Sequence, residues 1–293
     1  MRLDGRRESN NVEDRRGQGM SAGKMGGLGI GGIIMVGLLA WITGGDPLSA
    51  IMGAAQEQMS GQVIEQGEGG REFTQEEQEL AQFAKQILAG TEDVWTEIFE
   101  ANNMKYECPK MVLYTGGTQT GCGYGQAAMG PFYCSGDQTV YIDLSFFSSM
   151  KRQFGSAGDF AYAYVIAHEV GHHVQYLLGT LQQAHNKMNQ VSKTEANQIS
   201  VRLELQADYY AGVWAHHDNK NFKSLEDGDV EEGLEIASRI GDDYLQKKAQ
   251  GYEVPESFNH GRSEWRVKWL KAGIQKGDAA YGSKTFEVPY GQF

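Results

Sequence analysis

Residues 168–172 read His-Glu-Val-Gly-His, and no other feature constrains the fold of this chain as strongly as this H-E-x-x-H pattern. Two histidines four residues apart on a helix lie about 40° from each other around its axis, so both can bind one metal ion. Glu169 lies about 100° from the first histidine, where it can act as a base. Asp159 can cap this helix and Gly179 can end it. Without a third ligand, two structural histidines remain the alternative.

A second helical segment offers that third ligand. Residues 192–217 begin with Ser-Lys-Thr-Glu, a capping box, and continue as a helix. Glu204 and Asp208 share a face of this helix, where Glu204 can bind the metal and Asp208 can accept a hydrogen bond from a metal-bound histidine. A solvated acidic face is the alternative, which the many apolar neighbours disfavour. The two segments together predict a zinc site of His168, His172 and Glu204, with a fourth position for water.

The N-terminal part of the chain contains a candidate membrane span. Residues 25–42 carry no charge, and as a helix they would extend about 27 Å, close to a bilayer core of about 30 Å. Residues 1–24 have a net charge of +2 in a chain of −12, so the positive-inside rule makes them a cytoplasmic basic tail. A cleaved signal peptide and a flexible Gly-rich segment are the alternatives. The pattern favours one transmembrane helix.

The remaining sequence divides into a linker and a folded domain. Residues 43–72 are rich in Gly, Gln and Glu, which predicts a flexible linker. Within residues 73–293, helical spacing begins after Thr74 and again after Thr91, which predicts two helices. Short strand patterns precede a mostly helical C-terminal half, so the expected fold class is α+β with a small sheet. The acidic balance excludes nucleic acid as a partner, because neutralising phosphates needs a basic face.

The three cysteines of the chain help to predict the cellular compartment in which the domain lies. Cys122 and Cys134 enclose a short Gly-rich loop, and a disulfide between them fits a domain outside the cytoplasm. Two unbonded thiols in a cytosolic protein are the alternative. Zinc binding by these cysteines is disfavoured, because the chain has no C-x-x-C pair. Cys108 is left without a predicted partner.

His260 is a further candidate for the site. It lies in a loop before a helix expected to begin at Ser263, and it could donate a hydrogen bond to an oxygen that becomes negative during a reaction. A structural loop histidine is the alternative.

These motifs together resemble the bacterial family described as putative neutral zinc metallopeptidases. The resemblance covers almost the whole chain and rests on residues 5–17, 130–134, 140–147, 167–175, 205–208 and 240–243. It implies a membrane-anchored zinc peptidase with a zincin-like domain and a glutamate as third ligand.

The resemblance also bears on substrate binding. In zinc peptidases an edge strand above the active helix pairs with extended substrate, and residues 139–143 are the candidate strand; an ordinary core strand is the alternative. The chain departs from the family at Tyr209 and near Ser283, where relatives often have cysteines. Arg262 replaces a small residue beside His260, which bears on substrate preference.

The sequence therefore predicts a single-pass inner-membrane protein with a zinc metallopeptidase domain on the periplasmic side. Its expected partners are a peptide or protein substrate and the membrane, and no oligomeric state is indicated. Glu169 would take a proton from a zinc-activated water and pass it to the leaving amine. Two alternatives remain: a catalytically silent, zinc-stabilised binding or chaperone-like membrane protein, and a soluble cytosolic peptidase if residues 25–42 are a linker.

Overall fold

The structure is a computed structural model that describes residues 1–17, 72–127, 130–154 and 158–293. The predicted membrane span at 25–42 and nearly all of the predicted linker lie outside the described residues. Within these ranges no helix combines the length and the apolar character that a membrane crossing requires. The chain forms two compact units, the first comprising residues 1–10, 83–109 and 156–293, and the second residues 11–82 and 110–155.

The described part of the chain is mostly helical and has a small sheet, which confirms the α+β class. Its strands are β1 (Val12–Asp14), β2 (Lys110–Tyr114), β3 (Gly117–Thr120), β4 (Gly123–Gln126), β5 (Phe132–Cys134) and β6 (Thr139–Asp143). Its helices are α1 (Gln75–Ala101), α2 (Ser145–Phe154), α3 (Asp159–Leu177), α4 (Thr180–Met188), α5 (Lys193–Phe222), α6 (Asp229–Arg239), α7 (Asp242–Gln250), α8 (Ser263–Lys276) and α9 (Lys284–Glu287). Short 3-10 helices occupy Pro255–Ser257 and Ala279–Ser283.

The second unit contains a four-stranded sheet, in the order β1-β2-β6-β5, and a two-stranded sheet formed by β3 and β4. Strand β6 is parallel to β2 and antiparallel to β5, and all five of its residues are buried. The prediction that residues 139–143 form an edge strand for substrate is therefore wrong, because both edges of β6 are already hydrogen-bonded. Its alternating β-branched and aromatic residues reflect a central core position. The disulfide between Cys122 and Cys134 is present in this unit.

The two helices predicted after Thr74 and Thr91 are one helix, α1. Thr91 does not cap a new helix, because its hydroxyl donates to the Leu88 carbonyl one turn earlier. Gly90 does not end the helix, and a glycine is found there because a side chain would collide with neighbouring groups. A Cβ atom there would be 2.9 Å from the side chains of both Arg6 and Asp218.

The helices that carry the candidate site begin and end close to the predicted positions. Helix α5 has the predicted capping box at Ser192, but it continues past residue 217 to Phe222. Helix α3 begins at Asp159 itself, with Gly158 as the N-cap and no side-chain cap. Gly179 has a left-handed backbone and separates α3 from α4.

Residues 1–10 pack in the first unit. Arg6 forms two hydrogen bonds with the carboxylate of Asp218 on α5, the shorter being 2.7 Å. Ser9 donates to Glu92 of α1 at 2.5 Å, and both side chains are buried. Arg7 also pairs with α1, at Glu92 and Asp93. These contacts are made by charged groups that a solvated tail would leave in water.

Residues 11–17 belong to the second unit. Residues 12–14 form β1, which is parallel to β2. Arg16 binds the Asp14 carboxylate and the Glu77 carbonyl of α1. The prediction of a tail over residues 1–24 is therefore wrong for residues 1–17. Their cations neutralise carboxylates of the fold, and such pairings cannot be recognised from charge counts along the sequence.

Candidate metal centre

The candidate site lies in the first unit, where α3 and α5 approach each other closely. A Cβ atom on Gly171 of α3 would lie 2.9 Å from the carbonyl oxygen of Ala207 on α5. Glycine inside the H-E-x-x-H segment and alanine inside the facing segment therefore let the two backbones meet. This contact brings the histidines of α3 opposite the carboxylates of α5.

Three ligand atoms converge at this contact. One atom each from His168, His172 and Glu204 lie within 4.8 Å of one another. The Nε2 atom of His168 is 3.2 Å from one Glu204 oxygen, and the Nε2 atom of His172 is 3.5 Å from the other. The three residues predicted as ligands are thus brought together.

The spacing of these atoms fits zinc. Ligands at about 2.0–2.1 Å from a tetrahedral zinc ion lie roughly 3.3 Å from one another. The two nitrogen–oxygen distances of 3.2 and 3.5 Å fall on either side of that value. The two histidine nitrogens lie within 4.8 Å of each other. Two imidazoles and one carboxylate are the donor set of many catalytic zinc sites, which keep a fourth position open.

His168 is oriented by a buried network that contains charged groups. Its Nδ1 atom lies 2.8 Å from Oδ1 of Asp208, which directs Nε2 towards the ligand cluster. Tyr164 donates to the same oxygen at 2.6 Å. Arg266 of α8 donates to both Asp208 oxygens at 2.9 Å, and also to the Tyr164 hydroxyl. Asp208, Tyr164 and Arg266, together with the His168 ring that they orient, are called the ionic network below.

The charges of the ionic network act on the protonation of its members. Burial favours the neutral form of Asp208, but Arg266 and His168 outweigh it and lower its pKa to about 2. Burial also lowers the pKa of His168, but Asp208 and Glu204 outweigh it and raise that pKa to about 10. The network therefore contains a carboxylate and a guanidinium that neutralise each other away from water.

His172 is oriented by a second network without formal charges. Its Nδ1 atom lies 2.9 Å from the side-chain oxygen of Gln175, one turn further along α3. The Gln175 amide donates to the Leu203 carbonyl at 2.7 Å and to the Gln206 side chain at 3.1 Å. Gln206 in turn donates to the Gly282 carbonyl. Gln175 and Gln206, both buried, are called the amide network below.

Two further predicted residues lie beside the ligands. Glu169 follows the first histidine on α3, and the residue as a whole is 9% exposed. His260 lies in the loop before α8, and its charge and that of Glu204 affect each other's pKa. The loop contacts α5, because a Cβ atom on Gly261 would lie 3.1 Å from Val201.

Asp242 holds the His260 loop. One of its oxygens accepts the backbone N–H groups of Asn259, His260 and Gly261 at 2.7–2.8 Å. The other oxygen lies 3.3 Å from Nδ1 of His260. Burial lowers the pKa of His260, but the hydrogen bond to Asp242 and the negative charges of Asp242 and Glu204 together outweigh it, so the net shift is upward.

Sequence reasoning missed Arg266, Gln175 and Asp242. Arg266 lies between tryptophans 265 and 269 on α8, and a cation at helical spacing with buried aromatic residues is a signal for an ion-paired core arginine. Gln175 is three residues after a ligand histidine, within hydrogen-bonding reach on a helix. Asp242 lies in the segment 240–243 that resembles the family, but its partners lie in a loop 17–19 residues further on, so the segment alone does not show its role.

Comparisons with known proteins show to which family this chain belongs. The family model described as "Putative neutral zinc metallopeptidase" matches residues 1–286. The uncharacterized protein YpfJ of Escherichia coli strain K12 is 48% identical over 289 residues, or 96% of this chain and 97% of that protein. The uncharacterized protein Rv2575 of Mycobacterium tuberculosis strain H37Rv is 43% identical over 183 residues, or 59% of this chain and 61% of that protein. No solved structure matches, so the zincin-like class stays a prediction. The chain belongs to the putative neutral zinc metallopeptidase family.

Proposed function

We propose that this protein is a zinc-dependent peptidase whose centre is formed by α3 and α5. One observation carries the proposal: the Nε2 atoms of His168 and His172 and the Glu204 carboxylate converge at the spacing of zinc ligands. Both histidines have their Nδ1 atoms engaged elsewhere, which leaves Nε2 as the metal-binding atom.

The residues present would hold zinc through two imidazoles and one carboxylate. When bound, zinc supplies Lewis acidity, which polarises a peptide carbonyl and acidifies water at the open position. Asp208 and Gln175 each accept the Nδ1–H of one ligand histidine, which fixes the tautomer and the orientation of the ring.

Two side chains would serve the reaction itself. Glu169 accepts a proton from the attacking water and delivers it to the leaving amine, because it flanks the ligand pair without belonging to the ligand cluster. His260 donates a hydrogen bond to the carbonyl oxygen as negative charge develops there. The raised pKa of His260 supports this role, since the protonated ring is the better donor.

The proposed location is the extracytoplasmic side of the inner membrane, with residues 25–42 as the membrane attachment. Two features support it. The disulfide between Cys122 and Cys134 is of the kind that persists in oxidising compartments. Residues 25–42 form an uncharged apolar run.

The proposal is tested with the full chain in detergent, comparing wild type with Glu169→Gln. We expect one zinc per chain in both proteins, measured by elemental analysis, and cleavage of a peptide library by the wild type alone. The expected loss of kcat is at least about 100-fold, since general base catalysis contributes 10²–10⁴-fold. Glu195→Gln, at the exposed capping box of α5, is the matched control and should cleave as the wild type does.

The outcomes separate the candidate functions. Cleavage by Glu169→Gln at the wild-type rate would remove Glu169 as the base. Zinc in both proteins with cleavage by neither would contradict the peptidase proposal, and it would favour the zinc-stabilised binding protein.

A further inference from the structure

We propose that Arg266 is a positioning residue for the metal centre, which acts on His168 through Asp208. Arg266 belongs to α8, outside both metal-binding segments, and its side chain is 4% exposed. The inference rests on the proposed zinc site. It concerns how one of the ligands is held rather than which ligands there are.

The geometry shows why Asp208 needs a second partner to orient His168. A carboxylate that binds an imidazole through one oxygen can still rotate about its own side-chain torsions. Arg266 removes that freedom, because its Nε and Nη2 atoms bind the two oxygens at 2.9 Å each. The Asp208 oxygen that faces Nδ1 of His168 is thereby fixed in place.

Tyr164 completes the arrangement from the other side. Its hydroxyl donates to Oδ1 of Asp208 and accepts from Nη2 of Arg266 at 3.2 Å. All three side chains are buried away from bulk solvent, where charged hydrogen bonds are strong. Helices α3, α5 and α8 are thus linked through one carboxylate, which gives α8 an influence on His168 through Asp208.

The same unit contains a matched pair for comparison. Asp218 is a second buried aspartate on α5, and Arg6 binds both of its oxygens. It lies ten residues beyond Asp208, or roughly 15 Å along the helix. No described hydrogen bond joins the Asp218 pair to a histidine, so it tests the effect of breaking a buried arginine–aspartate pair alone.

The test measures zinc affinity by chelator competition and the visible spectrum of the cobalt-substituted full chain. We expect Arg266→Met to weaken zinc binding about 10- to 100-fold and to change the cobalt spectrum, as loss of an outer partner does elsewhere. Arg6→Met should lower the melting temperature but keep zinc affinity within about twofold. If Arg266→Met does not fold, Arg266→Lys retains the charge and loses the two-point geometry, and it should weaken zinc binding severalfold.

A double-variant cycle distinguishes action through Asp208 from a general effect. In the Asp208→Asn background, the Arg266 substitution should change zinc affinity by less than about twofold, because the residue it acts through is already altered. Additive effects, or wild-type zinc affinity and cobalt spectrum in the Arg266 variants, would overturn the inference while leaving the zinc site intact. A wild-type protein that binds no zinc would overturn the proposed function and this inference together.

A separate observation concerns the side of the membrane on which the N-terminal residues lie. Residues 1–10 bind the first unit through contacts as short as 2.5 Å, including the Ser9–Glu92 and Arg6–Asp218 pairs. A single crossing at residues 25–42 would place the two partners of each contact on opposite sides of about 30 Å of hydrocarbon. The geometry points to residues 1–10 and the metal centre lying on the same side. The sequence predicts a single crossing whose N-terminus lies in the cytoplasm. The same-side arrangement is proposed in its place.

Cysteine labelling in intact cells tests this arrangement. Asp4 is exposed, and so is the unbonded thiol of Cys108 in the first unit. A membrane-impermeant maleimide should label the Asp4→Cys, Cys108→Ser protein and the wild type under the same condition, either both before lysis or both only after it. Labelling of one before lysis and of the other only after it would overturn the inference. Labelling of both proteins before lysis would place the metal centre outside the cytoplasm, and labelling of both only after lysis would place it inside.

Discussion

The two histidines at the metal centre are held by chemically different networks. His168 depends on the ionic network, in which a carboxylate and a guanidinium cancel each other's charge. His172 depends on the amide network, whose members carry no formal charge. Both networks place an oxygen within 2.9 Å of the Nδ1 atom of their histidine. The difference teaches that orienting an imidazole needs only a fixed acceptor, whereas a charged acceptor adds a dependence on pH and on a buried cation.

The largest expected effect comes from Asp208→Asn, which leaves the guanidinium of Arg266 buried and uncompensated. We expect the free energy of unfolding to fall by about 3–5 kcal/mol, measured by urea denaturation of the zinc-free protein. The double variant with Arg266→Met removes both charges and should recover part of that loss. Equal stability of Asp208→Asn and wild type would show that the two charges are not buried together.

The second expected effect is a dependence of the free energy of unfolding on pH that arises in the ionic network and not in the amide network. The pKa of Asp208 is lowered to about 2. Its contribution to the free energy of unfolding is therefore lost as the pH falls from about 4 towards 2. The pKa of His168 is raised to about 10 in the zinc-free protein, so its contribution is complete below about 6.5 and is lost as pH rises. The stability difference between wild type and Asp208→Asn should therefore narrow by about 2 kcal/mol between pH 6 and 8.

Gln175→Leu provides the control for that pH dependence. The amide of Gln175 does not titrate, so the stability difference between this variant and the wild type should stay constant over the same range. A difference that narrows equally in both variants would place the titrating group outside the ionic network.

The smallest expected effect is that of Gln175→Leu on stability itself. It leaves the Nδ1 atom of His172 and the Leu203 carbonyl without this partner, but no buried charge is exposed. We expect a loss of about 1–2 kcal/mol in urea denaturation and about tenfold weaker zinc binding by chelator competition. A loss larger than that of Asp208→Asn would reverse the comparison.

The sequence predicts the parts of the site that local spacing determines. The histidines of α3 and the pair Glu204 and Asp208 are each fixed by one helical turn, so the 3.6-residue period is enough to place them on common faces. The capping box at Ser192 is equally local. These residues could be recognised as site residues from the spacing within a single helix.

The parts that were missed depend on contacts between distant segments. Arg266 reaches Asp208 from another helix, and Arg6 reaches Asp218 across more than two hundred residues. Arg6 and Arg7 counted as a topological signal because their carboxylate partners are far away in sequence. Strand β6 was ambiguous for the same reason, since its neighbours decide whether it is central or an edge.

Zinc K-edge absorption of the zinc-loaded full chain tests the central claim most directly. The centre of His168, His172 and Glu204 predicts two imidazole nitrogens and oxygen ligands at about 2.0–2.2 Å, with no sulfur. The variant His172→Ala should lose the signal of one imidazole nitrogen, and the variant Glu204→Ala should lose the signal of one carboxylate oxygen. A sulfur shell at about 2.3 Å, or the wild-type spectrum in both variants, would contradict the account.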